Sequence, residues 1–94
     1  MITHFCFVRL APAHATDAGR AAVVALARGL GAGPAVRVAI PADDTAAKWD
    51  VALTVEVPSL AALAAAQATP AWRALAAHLA DHAIVVKAWN FAAT

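Results

Sequence analysis

The sequence predicts an α+β domain with the ferredoxin-like order β-α-β-β-α-β and a four-stranded antiparallel sheet, on three observations. Trp49–Val57 alternates apolar Trp49, Val51, Leu53, Val55 and Val57 with Asp50, Thr54 and Glu56, the period-two signature of a strand with two unlike faces. The helical stretch that follows carries two start signals, Ser59 and Thr69-Pro70, so it reads as a helix broken in two. Strand-type runs at Ile2–Leu10, Ala35–Ile40 and Ile84–Phe91 complete the order around a first helix. The 94 residues make one domain, with no repeat, linker or second unit.

In chain order, Ile2–Leu10 is a Phe- and Val-rich strand closed by Ala11-Pro12. Thr16 or Asp17 caps the first helix, which sets Val23, Leu26 and Leu30 on one stripe and Arg20, Val24 and Arg28 on another. Gly29, Gly31 and Gly33, followed by Pro34, supply the permissive residues and the stop. After the second strand, Pro41–Lys48, with Asp43-Asp44-Thr45, is a polar loop joining it to the third as an open hairpin. Pro58 ends the third strand, and the Ser59 hydroxyl accepts an orphan N–H of the helix Leu60–Gln67. Thr69-Pro70 opens a further helical segment through Ala83, where proline at the first position forfeits only an N–H that had no partner.

Alternation sorts the strand residues onto two faces. One carries Ile2, His4, Cys6, Val8 and Leu10 with Val51, Leu53 and Val55 and with Ile84, Val86, Ala88 and Asn90, and this face is expected to carry the helices. The other carries Phe5, Phe7, Val85, Trp89 and Phe91, too much apolar surface to leave in water, beside Arg9, Arg37, Lys87, Asp50 and Glu56, which could pair across a junction. That open face predicts a partner, most economically a second copy related by a two-fold axis.

Composition excludes several function classes. The chain is 63% hydrophobic with mean hydropathy +0.68, but alanine dominates, and the longest uncharged run, Val57–Trp72, is broken by Pro58 and Pro70, so no membrane span is expected. Ala13-His14-Ala15 mimics a leader cleavage site, yet no basic region precedes Ile2–Leu10, and a cytoplasmic protein is the simpler expectation. A net charge of +1, with Arg9, Arg20, Arg28, Arg37 and Arg73 scattered, gives no basic patch for nucleic acid. The single Cys6, between Phe5 and Phe7, has no disulfide partner within the chain and reads as a buried small hydrophobe.

The opening ITHFCFVRL, the junction WDVALTVEVPSLAAL, the helix-breaking ATPAW and the last strand IVVKAWNF together resemble the stress-responsive A/B barrel domain over nearly the whole chain. The resemblance implies a homodimer in which two four-stranded sheets face each other as a dimeric α+β barrel. Some plant members resemble polyketide cyclases that catalyse an aldol condensation between sheet and helices. His4 matches their first-strand histidine. Their third-strand histidine falls at Val51, their tyrosine at Ala66 and their second-helix histidine at Trp72, so that mechanism is not carried over.

The expected role is therefore a small homodimeric barrel protein without an established catalytic set, binding a small apolar or aromatic molecule between sheet and helices. His4 is the candidate general acid/base, with no second polar group evident beside it, and Val51, Leu53, Ala66, Trp72 and His78 are pocket candidates. Trp72 and Trp49 read first as core volume and second as pocket wall. Phe5, Phe7, Arg9, Arg37, Glu56, Lys87, Trp89 and Phe91 are the dimer-face candidates. His78 and His82 have a metal-compatible spacing, but no third ligand lies nearby in sequence, and neither a metal nor a cofactor is expected. The alternatives are a lyase- or cyclase-like enzyme using His4, and a cofactor-free oxygenase or haem-degrading protein of the dimeric ferredoxin-like type. The haem reading lacks its usual first-strand asparagine and its helix tryptophan, which would fall in Ala64–Ala66.

Overall fold

A computed structural model of the chain describes residues 1–31 and 34–94. The elements are β1 (Ile2–Leu10), α1 (Asp17–Arg28), β2 (Ala35–Ala39), a short 3-10 turn (Asp44–Ala46), β3 (Val51–Val57), α2 (Leu60–Gln67), α3 (Pro70–His82) and β4 (Ala83–Ala92). The order is the expected β-α-β-β-α-β with the second helix divided. Strands pair antiparallel in the order β2-β3-β1-β4, the ferredoxin-like sheet, with β1 and β3 in the centre.

The capping hydroxyls act as the sequence indicates. Thr16 accepts from the Gly19 N–H, Ser59 from Ala62 and Thr69 from Trp72, each satisfying a backbone donor that its helix leaves unpaired. The helix-facing side chains of β1 and β3 form the core: Cys6, Val8, Leu10, Val51, Leu53, Val55 and Val57 close on Val23 and Ala27 of α1, Leu63 of α2 and Leu75 and Leu79 of α3. Among the described residues no helix is long and apolar enough to cross a membrane.

Several boundaries move. The second strand stops at Ala39, leaving Ile40 exposed, and β4 begins at Ala83 and runs to Ala92. Gly33, one of the three glycines expected to end α1, lies outside the described residues. The third strand starts at Val51 rather than Trp49, and the two residues ahead of it leave the alternation. Trp49 turns to the open face, its ring 5.6 Å from Phe7, rather than into the core or a pocket beneath the helices. Asp50 is not a dimer-face charge. Its carboxylate accepts from the Leu10 N–H at 2.7 Å and from the Arg20 guanidinium at 3.1 Å, tying the end of β1 and the start of α1 to the start of β3. Hydrogen bonds to Asp17 and Asp50 raise the Arg20 pKa above its already high ordinary value, so it stays charged throughout.

Gly19 is required by a close approach. The turn Ala11–Ala15 folds back on the first turn of α1, and a Cβ on residue 19 would lie 1.7 Å from the His14 carbonyl oxygen. In an open helix, glycine to alanine stabilises by about 1 kcal/mol. Gly19→Ala is expected to do the reverse and lower the thermal midpoint by several degrees, because the obstacle is backbone and the turn must move. An unchanged or raised midpoint would show that the turn yields freely.

Candidate functional site

His4 is the third residue of β1, on the helix-facing side and 7% exposed. The ladder puts it opposite Val55 of β3 and Asn90 of β4. Its Nδ1 is 2.6 Å from Asn90 Oδ1. An amide oxygen only accepts, so Nδ1 carries the hydrogen and, in the neutral ring, Nε2 keeps its lone pair. Asn90 thus fixes both the tautomer and the ring plane. The Trp72 ring is tilted by 58° to His4 with centroids 5.7 Å apart.

Above His4, between the sheet and α3, is a cavity of about 510 Å³. Cys6 and Leu53 share its floor with His4, α3 supplies one wall through Trp72, Ala76, Leu79 and Ala80, and β4 supplies the rim through Ile84 and Val86. The helix break shapes its mouth. The Thr69 hydroxyl donates to the Ala66 carbonyl at 2.7 Å while accepting from Trp72 N–H, which fixes the bend and brings Gln67 and Trp72 to the cavity. No residue lining the cavity carries a carboxylate, ammonium or guanidinium group. Burial pushes the Cys6 thiol up, so it remains protonated and is a poor nucleophile.

Of the pocket candidates, the structure brings Leu53 and Trp72 to His4 and leaves three elsewhere. Val51 is buried in the core near the Pro41–Ala46 segment, beyond the cavity. Ala66 contributes its carbonyl to the helix break, and the neighbouring Gln67 takes the lining position. His78 faces away from the cavity, its ring stacked 4.0 Å from His82, which in turn lies 4.2 Å from His14. Asn90, absent from the candidates, is the second polar group beside His4; strand alternation already placed it on that face. The helices do not cover all of this side. Ile84 and Val86 remain 54% and 46% exposed because β4 is an edge strand that rims the cavity.

The opposite face carries a shallow hollow of about 570 Å³ lined by Thr3, Phe5, Phe7, Trp89 and Phe91 with the end of β4. Phe5 meets Phe91 edge-on at 5.5 Å and Phe7 meets Trp89 at 5.7 Å. Trp89 and Phe91 are 45% and 58% exposed. Arg9, Arg37, Glu56 and Lys87 stand exposed around these rings, and among the described residues none of the four is in a salt bridge. Nor is any group of three or more His, Cys, Asp or Glu among the described residues placed to hold a metal ion.

No family model matches the chain, and no curated protein sequence is significantly similar to it. Solved structures are. A dimeric ferredoxin-like protein of unknown function from Thermobifida fusca superposes with a TM-score of 0.85 at 21% identity, over 98% of this chain and 90% of that one. At3g17210 from Arabidopsis thaliana gives 0.79 at 13% identity, over 100% and 96% of the two chains. A putative antibiotic biosynthesis monooxygenase from Nitrosomonas europaea gives 0.79 at 12% identity, over 99% and 98%. These likenesses establish the ferredoxin-like fold.

Proposed function

We propose that the chain is a homodimeric α+β barrel protein of the stress-responsive A/B barrel type, whose cavity beneath the broken helix binds a small, neutral, largely apolar or aromatic molecule. The observation that carries the binding role is the cavity itself: it is uncharged, large enough for a bicyclic molecule, and holds one oriented acceptor, His4 Nε2, beside the Trp72 ring. Such a site favours a ligand with a flat apolar body and one hydroxyl that donates to Nε2. A charged ligand would lose its hydration for no counter-charge. The dimer is supported by the exposed aromatic rings of the open face and by the dimeric description of the Thermobifida fusca neighbour.

Displacement of the dye Nile red tests the binding role. Neutral naphthols and naphthalene are expected to displace it, and naphthoate to compete poorly. His4→Phe, which keeps a ring against Trp72 but removes the acceptor, is expected to weaken naphthol about tenfold, the loss of one hydrogen bond, and to leave naphthalene unchanged. Failure of every neutral aromatic to displace the dye would refute the reading.

A second reading is an enzyme in which His4 Nε2 removes a proton from the bound molecule. The tautomer fixed by Asn90 favours it, as does the monooxygenase description of the Nitrosomonas europaea neighbour. On that reading His4→Phe abolishes turnover and spares the dimer; undiminished turnover would eliminate His4 as the base.

A further inference from the structure

The three rings on the far side of α3 form a cluster that the cavity does not use. We propose that the stacked rings of His14, His78 and His82 are a proton-sensitive clasp that fastens the C-terminal turn of α3 to the β1–α1 turn, released as His78 takes up a proton against its two neighbours.

The cluster is built by backbone contacts on both sides. His82 Nδ1 donates to the His78 carbonyl at 2.9 Å, which orients the ring for its near-parallel stack on His78, with an interplanar angle of 10°. The His82 carbonyl accepts from the Ala11 N–H at 2.8 Å, so the turn carrying His14 hangs directly on the last residue of α3. Gly19 permits the approach from the other side, since any side chain there would strike the His14 carbonyl. The rings border a pocket of about 270 Å³.

The surroundings decide the response to protons. Facing the three rings are Leu10 from β1, Ala13 and Thr16 from the turn, and Ala18, Gly19 and Ala22 from α1, and none of these residues carries a carboxylate. Asp81, on α3 itself, is the acid that acts on His78, and Asp17 of α1 is engaged by Arg20. The C-terminal dipole of α3 and Asp81 can support one positive ring. A second, about 4 Å away, meets like charge with no counter-ion. Accordingly, burial first and the charge of His82 next hold the His78 pKa below its ordinary value, with His14 adding to the effect and Asp81 opposing it.

The sign follows from proton uptake. A histidine with a lowered folded pKa binds its proton more readily in the open chain, so its contribution is complete above about pH 6.5 and is lost as the pH falls from there towards the folded value. Opening detaches the β1–α1 turn from α3.

Hydrogen exchange of the Ala11 amide, which donates across the clasp, reads this directly. With intrinsic exchange divided out, lowering the pH from about 7.5 to about 5.5 is expected to cause a measurable loss of Ala11 protection, and His78→Gln is expected to remove most of that pH dependence. His14→Gln, in the turn rather than the helix, provides the same test should the helical variant fold poorly. His4 is intact in both variants, so a general acid effect through His4 would persist in them. Ala11 protection independent of pH in the wild type, or an undiminished acid loss in both variants, would overturn the proposal.

Discussion

Asp50→Ala is expected to lower the thermal midpoint by about 10–20 °C. The Asp50 carboxylate is the partner of the Leu10 N–H, and Leu10 is 2% exposed, so truncation leaves a largely buried donor without its partner. Leaving such a donor unpaired costs about 2–3 kcal/mol, a large share of what a domain of this size has to spare. Arg20 adds less, because its guanidinium reaches solvent and keeps Asp17 when Asp50 is removed. Arg20→Ala should therefore be clearly milder than Asp50→Ala. Asp50→Asn should fall between them, since an amide oxygen can still accept from Leu10 while its NH₂ opposes Arg20. Thermal melts of the three variants check the order; an Asp50→Ala midpoint within a few degrees of wild type would show that water or a shifted side chain satisfies Leu10.

Trp89→Glu is expected to convert the proposed dimer to a monomer at micromolar concentration, raising its dissociation constant by more than about a hundredfold. Trp89 sits at the centre of the aromatic hollow with Phe7 beside it and Phe5 and Phe91 flanking. Buried aromatics at such centres each account for about 2 kcal/mol or more of binding, and a carboxylate in their place would be buried without a partner. Because Trp89 points away from the helices, far-UV circular dichroism and Nile red binding in the His4 cavity should survive. A variant that stays dimeric would place the interface elsewhere.

Much of this architecture was legible from local chemistry. Thr16, Ser59 and Thr69 cap the helices they precede because capping needs only a hydroxyl and the next three residues. The two faces of β1 follow from alternation alone, which put His4 on the covered side and Phe5 and Phe7 on the open one. What failed was set by long-range contacts. The period-two pattern runs on through Trp49 and Asp50, but the ladder ends at Val51, and Leu10 and Arg20 recruit Asp50 from segments distant in sequence. His78 shares the α3 sequence with the cavity wall, yet Trp72, Ala76, Leu79, Ala80 and Ala83 trace a helical stripe that excludes it. His14 lies too far along the chain for spacing to connect it with His78 and His82; only the fold of the Ala11–Ala15 turn brings it there.

The sheet has one face largely covered by helices around the His4 cavity and one face of exposed rings that a second copy is proposed to cover. Sedimentation equilibrium at micromolar concentration tests this division most directly. The expected result is a single species of twice the 9.6 kDa chain mass, lost in Trp89→Glu; a wild-type species of one chain mass would contradict it.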